Sequence, residues 1–91
     1  MSKLTKSARD RECQVRIPSV CNFNPETTVL AHLNGAGMGM KANDMHGAFC
    51  CSACHDEIDR RTRKTHDYEA KLFHLEGVIR TQEIWIREGL L

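Results

Sequence analysis

The sequence predicts a small α+β domain: two short strands and a helix stapled by zinc, followed by a long C-terminal helix. Three observations carry that prediction. Cysteines fall in two pairs, Cys13-x7-Cys21 and Cys51-x2-Cys54, and tetrahedral zinc takes its ligands as two such pairs. The stretch Thr27-Thr28-Val29-Leu30-Ala31-His32-Leu33 concentrates β-branched and apolar residues. Tyr68, Leu72, Leu75, Ile79, Gln82 and Ile86 recur at 4-3-4-3-4 spacing, which is the period of an amphipathic helix.

Length and composition set the frame. Ninety-one residues make one domain, residues 1–91, and are too few for two cores. With few aromatic side chains, a chain of this size calls for a staple. Five cysteines are an odd number, so an all-disulfide framework would leave one over. The start MSKLTKSARDRE has no apolar secretory segment, and no apolar run is long enough to cross a bilayer. A soluble, cytoplasmic setting without membrane contact is expected, and there clustered thiols bind zinc more often than they cross-link. A net charge of +1 excludes a uniformly basic nucleic-acid glue. Basic side chains do gather locally, at Lys3, Lys6, Arg9, Arg11 and Arg16 and again at Arg60, Arg61, Arg63 and Lys64.

In order, residues 1–12 read as a flexible lead-in. Val15 and Ile17 alternate with polar residues as in a short strand, and Pro18-Ser19 turns the chain so that Cys13 and Cys21 meet. Asn22 to Glu26 is loop, residues 27–33 are the first strand, and Asn34 to Asp44 is a glycine-rich connection. Met45 to Phe49 forms a second strand that leads into the knuckle. A helix starts at Ser52 and ends near Lys64–Thr65. A longer helix, capped by Thr65 or Asp67, covers roughly residues 67–88, and its apolar stripe packs on the sheet. Gly77 inside it costs about 1 kcal/mol against alanine.

Two constellations carry chemistry. Cys13, Cys21, Cys51 and Cys54 make a closed structural zinc site. Cys50 competes with Cys51 for the pairing, and the Cys-x-x-Cys spacing favours Cys51. Cys50 then reads as a small buried hydrophobe. A redox dithiol at Cys51 and Cys54 would use neither Cys13 nor Cys21 and lacks a βαβ context. The second constellation is His32, Asp44, His55 and Asp59, which a ββα arrangement brings together. Imidazole with carboxylate suits an exchangeable divalent ion such as Mg²⁺, Mn²⁺, Ni²⁺ or Zn²⁺, and a free imidazole serves as a general base on water. That combination fits phosphodiester hydrolysis. His66 and His74 fall outside it, and His46 is a spare. The bland alternatives are a satisfied core histidine at His32, a helix cap at His55, a turn residue at Asp44 and an Asp59–Arg63 surface pair.

The order Cys…Cys, Ala31-His32, loop, Cys51-x-x-Cys54-His55 resembles the HNH endonucleases of the ββα-metal class. The phrases Asn24-Pro25-Glu26-Thr27-Thr28-Val29-Leu30-Ala31-His32 and Cys51-Ser52-Ala53-Cys54-His55-Asp56-Glu57-Ile58-Asp59-Arg60-Arg61 are similar to a small prophage-encoded nuclease family, the YbcO-like proteins. The likeness extends from about Ala8 to the C-terminus. It implies a ββα-metal fold and metal-dependent hydrolysis of DNA. His32 would be the general base, His55 a ligand of a catalytic divalent ion, and the four paired cysteines the ligands of a structural zinc. It further implies that Arg60, Arg61 and Arg63 meet the phosphate backbone of DNA. Two departures stand out. Ala31 occupies the place where the class often puts a ligand carboxylate, and His46 replaces the central asparagine. Asp44 or Asp59 is then the replacement carboxylate. The competing reading is a non-catalytic, zinc-stabilised module that binds nucleic acid or protein, as monomer or homodimer.

Overall fold

The computed structural model describes residues 3–33 and 44–91. Its elements are α1 (Lys3–Ser7), β1 (Val29–His32), β2 (Gly47–Cys50), α2 (Ser52–Ile58) and α3 (Asp67–Arg87). This is a small α+β fold with a two-stranded sheet and a long C-terminal helix. Most of the glycine-rich connection, residues 34–43, lies outside the described residues.

β1 and β2 pair antiparallel, with Leu30 opposite Phe49, Ala31 opposite Ala48 and His32 opposite Gly47. β1 is shorter than the expected strand because Pro25–Thr27 forms a 3-10 turn, capped by Asn24, whose side chain accepts from Glu26 N. A second 3-10 turn, Asp44–His46, replaces the start of the expected second strand. The free edge of β2 is sealed. Gln14 N donates to Phe49 O at 2.7 Å, and Phe49 N donates to Thr81 Oγ1 on α3 at 3.0 Å. Every residue of β2 is buried.

Alternation along the strands splits the core in two. Leu30 and Phe49 pack with Ala8 and Trp85, flanked by Leu4, Ile84 and Leu90. Ala31, Ala48 and Cys50 join Val15, Ile17, Val20, Val78 and the paired cysteines. α3 serves both halves by crossing the edge of β2 at Thr81. The residues expected to form a flexible lead-in instead dock. Ala8 is buried, Trp85 Nε1 donates to Ser7 Oγ at 2.7 Å, and Arg11 forms a two-pronged pair with Glu88 at 2.6 and 2.7 Å.

Three further expectations change. The segment holding Val15 and Ile17 is not a strand. Both side chains are fully buried, but Arg16 (φ 51°) and Ser19 (φ 63°) turn the backbone left-handed and fold the segment over the cysteines. α2 stops at Ile58 rather than near residue 64, because Arg60 at φ 63° breaks the helical path. Its N-cap is Cys51, not Ser52. On α3 the bounds agree within a residue, but the predicted stripe does not face the core. Tyr68, Leu72, Leu75, Ile79 and Ile86 are exposed, and the buried residues are Ala70, His74, Gly77, Val78, Thr81 and Trp85. Small residues win that face because the helix lies almost on the backbone of the first cysteine segment. A Cβ added at Gly77 would stand 3.0 Å from Val15 Cα and 3.1 Å from Gln14 O. Closeness, not hydrophobicity, selects glycine there.

Candidate metal centres and the basic loop

The thiols of Cys13, Cys21, Cys51 and Cys54 lie within 4.8 Å of one another. Cys13 comes from the irregular segment, Cys21 from the end of its left-handed turn, and Cys51 and Cys54 from the first turn of α2. Cys51 Sγ and Cys21 Sγ are 3.7 Å apart. Zn–S bonds of about 2.3 Å in a tetrahedron require a ligand–ligand edge of about 3.8 Å. Backbone N–H groups back the sulfurs: Arg16 N donates to Cys13 Sγ and Cys54 N to Cys51 Sγ, each at 3.4 Å. Such donors favour the thiolate form that a metal needs. All five cysteines are free thiols. The donor set, burial and spacing fit a zinc ion held by four sulfurs.

Cys50 is fully buried and lies outside the four-sulfur group. Its thiol still touches the cluster. Hydrogen bonding to Cys13, then to Cys54, together with burial, pushes the Cys50 thiol up, so it stays protonated. Hydrogen bonds with Cys50, then with Cys54, push the Cys13 thiol down.

The histidine and carboxylate residues form two pairs rather than one knot. His32, at the end of β1, holds Asp44 at 2.7 Å between Nε2 and Oδ1, with both side chains about a third exposed. An ionised carboxylate only accepts, so His32 Nε2 donates to Asp44 Oδ1. His55 and Asp59, four apart on α2 and its C-cap, are 3.5 Å apart, an ion pair longer than a hydrogen bond. Among the described residues, the four cysteines are the one group of three or more such donors that converge tightly.

A further histidine, His74, feels the charge of both pairs, and spacing does not single it out. It is buried on α3, and Nε2 donates to Ala31 O at 2.7 Å. Burial pushes its pKa down, the Ala31 carbonyl opposes that, and the charges of His55, Asp59 and His32 all reach it. His74 is therefore neutral, and it pins the strand one residue before His32. The spare His46 lies exposed in the 3-10 turn, and His66 stacks on Tyr68 with centroids 5.4 Å apart.

The basic loop after α2 is built around Glu57, which sequence reasoning also missed. Its carboxylate is fully buried and accepts from Thr62 Oγ1, Lys64 N, Thr65 N and Thr65 Oγ1. Burial alone would raise its pKa, but these hydrogen bonds win and hold it at about 2. Arg60 is spent inside the loop: it donates to Thr65 O at 2.9 Å and pairs with Asp67 at 2.8 Å. Arg61 is exposed and pairs with Asp56 at 3.2 Å, while Arg63 and Lys64 point to solvent. Of the three arginines expected to meet phosphate, Arg61 and Arg63 are presented to solvent and Arg60 serves the loop.

Comparison with known proteins gives a consistent result. Residues 2–90 match the family described as "Putative nuclease YbcO". The chain is 55% identical over 94 residues to "Putative nuclease YbcO" of Escherichia coli (strain K12), spanning all of this chain and 98% of that protein. A counterpart from Enterobacteria phage 82 matches with the same identity and coverage. A solved structure described as "Structure of a putative bacteriophage protein from Escherichia coli str. K-12 substr. MG1655" superposes with a TM-score of 0.85. It is 56% identical and covers 94% of this chain and 99% of its own. The chain belongs to the YbcO family.

Proposed function

We propose that this protein is a metal-dependent endonuclease of HNH type that hydrolyses DNA phosphodiester bonds. The observation that supports the proposal is that His32 and His55 each stand partly exposed beside a carboxylate, Asp44 at 2.7 Å and Asp59 at 3.5 Å, while the buried His74 feels the charge of His32, His55 and Asp59. The family's description as a nuclease supports the phosphodiester part of this reading. His32 takes the proton from the attacking water at Nδ1, while Asp44 fixes the ring and its tautomer. His55 and Asp59 are the ligands for a divalent ion, and their half-open, mixed imidazole and carboxylate character fits Mg²⁺, Mn²⁺, Ni²⁺ or Zn²⁺. When bound, that ion supplies positive charge to the phosphate oxygens. Arg61 and Arg63 hold the DNA backbone, and contacts of that kind carry affinity with little sequence choice. The zinc held by the four cysteines is structural, because four thiolates leave no open position.

A second reading is a non-catalytic zinc-stabilised binding module. One observation favours it: Ala31 brings no carboxylate, and the four candidate donors already satisfy one another in pairs. Nicking of supercoiled plasmid with Mg²⁺, Mn²⁺ or Ni²⁺ separates the two. The enzyme reading expects wild type to nick and His32→Ala to lose nicking with its zinc content unchanged. Equal, undamaged plasmid in both lanes under every metal rejects it.

A further inference from the structure

α3 carries a second face that the fold does not use. Tyr68, Leu72, Leu75, Ile79 and Ile86 are 69%, 55%, 47%, 61% and 58% exposed, on the side of the helix opposite its buried residues. With Gln82 they keep a strict 3.5-residue period over 19 residues. A straight α-helix drifts by about 20° per heptad against such a repeat, so the period is useful only beside another helix wound along it. Half the surface of five such side chains is on the order of 500 Å² per copy, and two copies reach roughly 1,000 Å², the lower bound of a specific interface. A self-complementary stripe of this kind fits a second copy of the same helix.

The composition also orients the pair. One seam position holds Leu72, Ile79 and Ile86 and the other Tyr68, Leu75 and Gln82; isoleucine at the first with leucine at the second, as at Leu75 and Ile79, favours two parallel strands. Glu69, Glu76 and Glu83 line one flank at seven-residue spacing. An antiparallel pair would set these acids against their own copies. A parallel pair sets Lys71 of one helix beside Glu76 of the other. Gln82 is the one polar residue in the seam, and its Nε2 also donates to Met45 O at 2.6 Å. A single polar position is a known device for fixing register.

We propose that the protein is a homodimer, joined through the outer faces of two parallel α3 helices. Sedimentation of the zinc-loaded full chain from about 1 to about 100 μM tests this range of affinities directly. Wild type is expected at twice the 10.4 kDa chain mass. Ile79→Glu buries no new group in the monomer, so it should fold and hold zinc as wild type does. Its dimer dissociation constant should rise about 100-fold or more, because a carboxylate in the seam is desolvated without a partner. Lys71→Glu should weaken the dimer, and adding Glu76→Lys should restore it. A wild type that stays at 10.4 kDa throughout, or an Ile79→Glu that sediments like wild type, overturns the dimer. A Lys71→Glu variant no weaker than wild type overturns the parallel arrangement.

Discussion

Cys54 and His55 are neighbours in the chain, yet the donors around them differ in kind. The cysteine cluster draws from three segments of backbone, is largely buried and brings four like atoms within 4.8 Å of one another. The histidine–carboxylate pairs are a third exposed and held apart as two hydrogen-bonded or ionic couples. The first arrangement is closed and suits a permanent ion that fastens one segment of the chain to another. The second keeps lone pairs near solvent and suits an exchangeable ion and a substrate. Under the proposed function, structure and reactivity are separated by one step along α2.

That separation can be broken from either side. The largest effect should come from Cys54→Ser. Structural zinc contributes about 10–16 kcal/mol in small zinc domains, at or above the whole stability of a domain this size. Far-UV circular dichroism should show an unfolded chain with zinc content near zero, and a strong chelator should do the same to wild type. Retained folded signal without metal would refute a structural zinc. His32→Ala is the mirror experiment. Loss of a general base lowers turnover by about 10²–10⁴-fold, while the half-exposed side chain costs less than about 1 kcal/mol of stability. A nicking assay paired with a thermal melt should show activity gone and the melting temperature nearly unmoved.

Smaller changes sharpen the comparison. Cys50→Ala removes a buried thiol that touches the cluster but is outside it. It should cost about 1 kcal/mol and leave one zinc per chain, read by urea midpoint and metal analysis. Half-stoichiometric zinc would instead make Cys50 a ligand. The last prediction concerns pH. The folded pKa of Glu57 is depressed to about 2 from 4.5, so its contribution is present above about pH 4.5 and is lost as pH falls toward 2. The stability difference between wild type and Glu57→Gln should be constant above that window and shrink through it. The difference is read in the upper part of that window, at pH values where both proteins still hold zinc.

Much of this was legible in the sequence where chemistry has a fixed spacing. The Cys51-x-x-Cys54 knuckle and the ends of α3 follow from local pattern alone. Cys13 and Cys21 do come together, but through an irregular left-handed segment rather than a hairpin, since Arg16 and Ser19 adopt a conformation that neither residue type signals. The face of α3 was unreadable because apolarity points to Tyr68, Leu72 and Ile79, while packing depends on how near two backbones come at Gly77. His74 was hidden for the same reason, on a face that looked polar. Glu57 was hidden in a run of charges, where nothing in the pattern distinguishes a buried acceptor from a solvated one. Long-range closeness, not local propensity, decided each of these.

The adjacency of Cys54 and His55 has a consequence for genetics. Successive residues on a helix are turned by about 100° and rise about 1.5 Å, so whatever fixes the sulfur also fixes the imidazole beside it. Under the proposed function, a selection for inactive alleles would therefore return cysteine substitutions and histidine substitutions together, with the same null phenotype. Allele frequency would not sort fastener from catalyst. Metal content of the surviving protein would: the histidine alleles would accumulate as zinc-loaded, folded chains, and the cysteine alleles would be cleared by proteolysis.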